Sequence, residues 1–220
     1  MSEKIIAYKA TDKNMMCRGK QYEVGKTYTE EKADCCTAGM HACEVPFDVL
    51  HYYHVSDGVR FFQVECGGEV DKSDEDSKFA CTELTVKGEL KLTDMLKIGV
   101  EAVMKRVKEK TAGAKETAAS GDYSTGAASG NCSTGAASGN YSTGAASGNC
   151  SSAEVSGKDS IAVANGYNSK ARGSIGCYIV LTEYDDDGKF LLAKMARVDG
   201  TVIKDGVWYT LKNGEFVEKN

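Results

Sequence analysis

Within residues 121–174 the fourth, sixth and eighth places of a nine-residue unit are always small and uncharged, while the fifth and seventh carry anything from threonine to arginine. Written from their glycines, the units are GDYSTGAAS, GNCSTGAAS, GNYSTGAAS, GNCSSAEVS, GKDSIAVAN and GYNSKARGS, nine residues each, with a degenerate AGAKETAAS before them at 112–120. Position four is serine throughout (Ser124, Ser133, Ser142, Ser151, Ser160, Ser169), and positions six and eight hold glycine, alanine or valine. Glu154, Lys170 and Arg172 fall only at positions five and seven. Alternation of period two marks a strand with one buried face, so four, six and eight point inward and the glycine with its neighbours makes a corner. A flexible Gly/Ser linker has no reason to keep charge off alternate positions.

Nine residues at ~3.3 Å each hold one short strand and one corner, too little to go around a coil and return. Eighteen suffice, which predicts a flattened two-sided parallel β-solenoid of three to four coils. Its inward residues are so small that the two sheets must approach more closely than the usual ~10 Å. Tyr123 and Tyr141 then stack one coil apart, as do Cys132 and Cys150, each pair on its own edge. Such a core buries little apolar area, so burial is expected to be completed by self-association as a dimer or trimer. The uncharged outward residues Thr125, Ala127, Thr134, Ala136, Thr143 and Ala145, with Tyr123 and Tyr141, form the candidate interaction surface.

The flanks differ. Residues 1–110 read as an α+β domain, with strands at 4–10, 20–28, 59–66 and 78–90, a short helix from Pro46 over PFDVLHYY, and a helix at 93–109 with Thr93 as N-cap. That helix carries Leu96, Val100, Val103 and Val107 as an apolar stripe, gathers Lys105, Arg106, Lys108 and Lys110 at its C-terminal end, and is suited to capping the first coil. Residues 111–176 are the solenoid. Residues 177–220 read as a β-meander cap with strands at 177–183, 189–198, 201–204, 207–211 and 215–218, and Asn213-Gly214 as a hairpin turn.

Composition narrows the function classes. The 220 residues contain no apolar run long enough to cross a bilayer, and the N-terminus lacks the apolar core of a secretory signal, so a cytoplasmic protein without a membrane role is expected. A net charge of −5 argues against direct binding of a nucleic-acid backbone and for a protein partner, such as a basic host protein that handles nucleic acid. Nine cysteines, an odd number, read as reduced thiols in that compartment.

No cofactor or metal constellation stands out. Cys17, Cys35, Cys36, His41 and Cys43 are zinc-type ligands without zinc spacing. Asp185-Asp186-Asp187-Gly188 has adjacent rather than alternate carboxylates and reads as a turn, not a calcium loop. Phosphate-loop, dinucleotide and serine-hydrolase motifs are lacking.

Three resemblances add expectations. The runs Ser160-x-Ala162-x-Ala164-x-Gly166 and Ser169-x-Ala171-x-Gly173 resemble the head repeats of trimeric autotransporter adhesins, which implies a left-handed parallel β-roll that trimerises. The stretches YKATDKNMMCRGKQYEVGKTY (8–28), TAGMHACEVPFDVLHYY (37–53) and RFFQVEC (60–66), with the repeat and GVWYTLKNGEFVE, resemble a family of uncharacterised bacteriophage and gut-bacterial proteins. That implies a phage or prophage origin but no activity. A non-catalytic binding role is expected instead from the lack of a catalytic constellation, the rigid platform of a solenoid and the acidic charge, with counter-defence against a host protein as the form that the resemblance adds. Gly39-Met40-His41-Ala42-Cys43, followed by a helix ending in Tyr52-Tyr53 and an alternating strand, loosely resembles the middle of ADP-ribosyltransferases. This rival reading makes Arg18 a pyrophosphate ligand and Glu65 the catalytic carboxylate, with His41 in the same motif.

Overall fold

The computed structural model describes residues 4–55, 58–74, 76–110 and 116–219, with side chains outside 106–117. The chain divides into two compact units, Met1–Met95 and Leu96–Asn220.

The first unit is mostly β. Its strands are β1 (Ile5–Thr11), β2 (Met16–Cys17), β3 (Lys20–Gln21), β4 (Thr27–Thr29), β5 (Met40–Cys43), β6 (Arg60–Lys72) and β7 (Lys78–Leu90). β6 and β7 form a long hairpin. β7 also pairs with β5, β5 with β1, and β1 with β6, all antiparallel, so these four strands close into a ring, with β4 following β5 along one edge of β7. Two register shifts, at Gln63/Val64 and Gly67/Val70, bend the hairpin enough to close it. Gly68 supplies the left-handed residue of the second shift, at φ +74°. Ala7, Met40, Ala42, Phe62, Val64, Phe79, Cys81 and Leu84 fill the interior.

This corrects the α+β expectation for this segment. PFDVLHYY makes only a short 3-10 turn at Pro46–His51, too brief to settle into α-helix. The strand expected at 20–28 breaks at Gly25, whose φ of +85° turns the chain. Helix α1 spans Leu92–Lys110; Lys91 supplies its first carbonyl acceptor, so Thr93 lies inside the helix and does not cap it. Val107 and the basic residues Arg106, Lys108 and Lys110 lie outside the described side chains.

The second unit contains the solenoid. Its strands are β8 (Glu116–Ala119), β9 (Thr125–Ser129), β10 (Thr134–Ala137), β11 (Thr143–Ser147), β12 (Ser152–Val155), β13 (Ile161–Asn165), β14 (Lys170–Gly173) and β15 (Tyr178–Tyr184). Even- and odd-numbered strands stack into separate parallel sheets, β8-β10-β12-β14 and β9-β11-β13-β15. Thr134 pairs with Ser152 and Thr143 with Ile161, an offset of 18 residues and hence two units per coil.

The inward rows are as expected. Ser133, Ser142, Ser151 and Ser160 are fully buried. Each buried hydroxyl is used, as burial demands. Ser142, Ser160 and Ser169 donate from Oγ to the carbonyls of Gly121, Gly139 and Gly148 one coil back, at 3.0–3.1 Å. The N–H groups of Ser142 and Ser151 donate to the hydroxyls of Ser160 and Ser169 one coil ahead. At position two, Asp122, Asn131, Asn140 and Asn149 accept the backbone N–H of the residue one coil ahead. Position three is left-handed in all six units, with φ between 51° and 58° at Tyr123, Cys132, Tyr141, Cys150, Asp159 and Asn168.

The roll is thinnest at its first coils. A Cβ placed on Gly126, Gly135 or Gly144 would land on the backbone carbonyl of the opposite strand, at Ala136, Ala145 and Glu154 respectively. Position six becomes alanine from Ala153 onward. In the last coil Cys177, Ile179 and Leu181 occupy the inward places, and the Cys177 thiol donates to the Gly157 carbonyl as the serines do. The roll therefore runs past residue 176 and takes in β15.

The C-terminal segment is not one meander. β16 (Phe190–Arg197) pairs antiparallel with β15, while β17 (Tyr209–Lys212) pairs with β14 and forms a hairpin with β18 (Glu215–Glu218), so each sheet is closed by its own antiparallel strand. Asn213 and Gly214, at φ 52° and 73°, make the expected hairpin turn. Residues 201–204 are not a strand, because the Asp199 carboxylate holds the N–H groups of Thr201, Val202 and Ile203 in a turn. Asp185 likewise accepts from the N–H groups of Asp187 and Lys189, which makes 185–189 a plain turn.

Candidate functional site

A cavity of about 250 Å³ opens in the first unit. β1 contributes Tyr8, Lys9 and Ala10; β5 contributes His41, Ala42 and Cys43; Val49, Tyr52 and Tyr53 come from the 3-10 turn and its exit, and Lys78 from the start of β7. Cys17 and Arg18 enter from the β2–β3 hairpin. Its two-residue turn is Arg18-Gly19, at φ 49° and 78°, which suits the twist of a tight hairpin. Arginine in the left-handed region is uncommon, and here it aims the side chain at the cavity wall.

Cys36, also left-handed at φ 78°, ties two of these groups together. Its N–H donates to His41 Nε2 at 2.9 Å, and its carbonyl accepts from Arg18 Nη1 at 3.2 Å. Lys9 is 5% exposed. Its ammonium donates to the His41 carbonyl at 2.9 Å and to Cys17 Sγ at 3.5 Å, and lies 4.8 Å from the centre of the Tyr22 ring. Tyr53 donates its hydroxyl to Cys17 Sγ at 3.0 Å.

The electrostatics are one-sided. No aspartate or glutamate is among the described lining residues. Burial, then the charges of Arg18, Lys9 and Lys78, push the His41 imidazole down to about 4. It is neutral at pH 7, with Nε2 accepting from Cys36 and the proton on Nδ1. Burial works against the Lys78 ammonium, but Cys36 and Asp76 beside it more than offset that. Glu30 lines an adjoining cleft of about 110 Å³ and is ion-paired with Lys20.

His41 carries a pH dependence of stability. Its folded value lies below its ordinary 6.5, so the unfolded chain takes up a proton first as pH falls. The contribution is complete above about pH 6.5 and declines toward pH 4. Wild type is expected to lose denaturant resistance between pH 6.5 and 4.5 more steeply than His41→Gln. Parallel curves for the two would refute this assignment.

Of the residues singled out in the sequence, Arg18 and His41 meet in this cavity and Glu65 does not. Glu65 sits on β6, held at 2.8 Å by Lys4 and 3.3 Å by Lys87. Cys17, Cys35, Cys36, His41 and Cys43 form no metal-type group of three or more among the described residues. Lys9 and Lys78 were not anticipated. Lys9 had a readable signal: it shares the phase of Ile5 and Ala7 on an alternating strand, a charge on the buried side.

The solenoid candidates divide between two faces. Thr125, Ala127, Thr143 and Ala145 belong to the β9–β11 sheet, where Ala127 and Ala145 are buried within the chain, as are Ile161, Val163, Tyr178 and Val180 further along. Thr134 and Ala136, on the β8–β10–β12–β14 sheet, are half-buried, and the same outward row continues through Glu154 and Arg172, an ion pair at 2.8 Å, to Lys170. Arg172 and Lys170 both lie over Trp208. Tyr123 and Tyr141 stack as expected, ring centres 5.2 Å apart, and Cys132 and Cys150 are exposed. Of the three alanines among these candidates, Ala127 and Ala145 are buried within the chain and Ala136 is half-buried.

Among the described residues no helix is long and apolar enough to cross a membrane. No curated protein and no solved structure matches the chain. Residues 5–98, which include every residue lining the cavity, match the model of a domain of unknown function (DUF7666).

Proposed function

We propose that the chain is a non-catalytic binding protein that presents the outer face of the β8–β10–β12–β14 sheet to a protein partner. The observation that carries this reading is the asymmetry of the roll. The outward row of one sheet is buried at Ala127, Ala145 and Val163, whereas the other leaves Thr134, Ala136, Ser152, Glu154, Lys170 and Arg172 partly exposed. Such residues can change without disturbing the inward rows that hold the coil together. Self-association as a dimer or trimer would use the same face, and light scattering reads it directly. The phage or prophage setting and counter-defence rest on the resemblance of segments 8–28, 37–53 and 60–66, and a cytoplasmic site of action rests on the sequence pattern.

A second reading, ADP-ribosyl transfer, is favoured by the meeting of Arg18 and His41 in one cavity and opposed by the position of Glu65. One experiment separates the two. Wild type, Ala136→Arg and Glu65→Ala are immobilised, exposed to bacterial lysate and supplied with labelled NAD. Stoichiometric capture by wild type and Glu65→Ala but not by Ala136→Arg, with no label transferred, is expected. Label transfer by wild type that Glu65→Ala abolishes would overturn the binding reading.

A further inference from the structure

We propose that the cavity in the first unit binds a small phosphate monoester as its dianion, gripped by Lys9, Arg18 and Lys78, with the ester group against Tyr8, Val49 and Tyr53. This goes beyond the partner surface of the solenoid and is independent of it.

Charge balance is the first ground. Lys78 has Asp76 beside it, and Lys20 pairs with Glu30. The buried Lys9 and the exposed Arg18 have no carboxylate within ion-pair distance among the described residues, so the Lys9 charge lacks a counter-charge and Arg18 is left with none to hold it away from a ligand. An ammonium that is 5% exposed and paired, among the described residues, with a carbonyl, a thiol and a ring face is costly to bury. A dianion restores neutrality; a carboxylate restores half of it.

Geometry is the second. The arginine fork suits two phosphate oxygens at once, and the lysines suit the remaining charge. Among the described residues Arg18 makes one weak bond, to the Cys36 carbonyl, and so retains most of its donors. Its left-handed backbone is a local cost at the tip of a hairpin, of the kind that clusters at ligand sites. His41, neutral with its remaining proton on Nδ1, adds no repelling negative charge. The rest of the lining is mostly apolar and aromatic, and 250 Å³ falls just below the ~300–1,000 Å³ of drug-sized sites, which restricts the ligand to a compact molecule.

The test is calorimetric titration of the full chain with phenyl phosphate, inorganic phosphate and benzoate, repeated on Arg18→Gln and Lys9→Met. Thermal melts without ligand are recorded alongside. Phenyl phosphate is expected to bind saturably, at least tenfold more tightly than benzoate and more tightly than inorganic phosphate. Each variant should weaken it at least tenfold. Lys9→Met, which removes the uncompensated buried charge at similar volume, should melt at or above wild type while losing the ligand. Tighter binding of inorganic phosphate than of its phenyl ester would overturn the ester assignment. Equal binding of benzoate would overturn the dianion. Absence of saturable binding by wild type, unchanged binding in both variants, or a Lys9→Met melt below wild type would overturn the site.

Discussion

Gly135→Ala is expected to destabilise the protein by roughly 3 kcal/mol, at the upper end of what one added methyl usually costs. The new Cβ would lie 2.6 Å from the carbonyl carbon of Ala145 on the opposite strand and closer still to its oxygen. Backbone cannot swing aside as a side-chain tip can. The two sheets would have to part at that coil, and the neighbouring coils, pinned by the buried serine ladder, would resist. Gly88→Ala is the control. It too replaces a strand glycine, but its Cβ meets nothing within 4 Å, so a change within about 0.5 kcal/mol is expected. Urea denaturation followed by far-UV circular dichroism compares them. Equal midpoints would show that the sheets are not held as closely as the glycines require.

Leu181→Ala should cost about 2–5 kcal/mol, the range for a large aliphatic removed from a packed core. Leu181 is fully buried in the cluster that also contains Ile179, Val198, Ile203, Tyr209 and Leu211. The apolar mass of the roll is concentrated there, since its first coils contribute only serine, glycine and alanine. The burial once expected from self-association is thus supplied in part by the chain's own C-terminal strands. The loss should therefore be felt by the whole roll. Trp208, the single tryptophan, reports on the C-terminal segment by fluorescence, and circular dichroism reports on the sheets. Their transitions should shift together to lower urea. A Leu181→Ala protein in which only the tryptophan signal moves would show that the coils stand without their thick end.

The solenoid was legible because its rule is local. Period two and period nine together dictate which residues face inward, and the serine, glycine and alanine rows obey it from Ser124 to Gly173. The ring of β1, β5, β7 and β6 was not legible. Its closure depends on pairings such as Tyr8 with Cys43 and Ile5 with Cys66, far apart in sequence and without a repeat to announce them. The short helix expected from Pro46 is present as a 3-10 turn at Pro46–His51, whereas the strand expected at 20–28 is interrupted where the glycine turn at Gly25 overrides local pattern. At the cavity, Arg18 and His41 were singled out through a resemblance, whereas Lys9 was passed over although its phase placed a charge among core positions. The burial of Ala127 and Ala145 depends on what lies over one sheet, which a repeat cannot reveal about itself.

The two-units-per-coil build also imposes a parity. Successive nine-residue units fall on alternate sheets, so inserting or deleting one unit would transfer every later strand to the opposite side of the roll. β15 would then arrive where β14 now meets β17, and β14 where β15 now meets β16. An added pair leaves every strand on its own side and lengthens the stack by one interstrand step, about 4.8 Å. Chains of this architecture can therefore grow or shrink only in steps of eighteen residues.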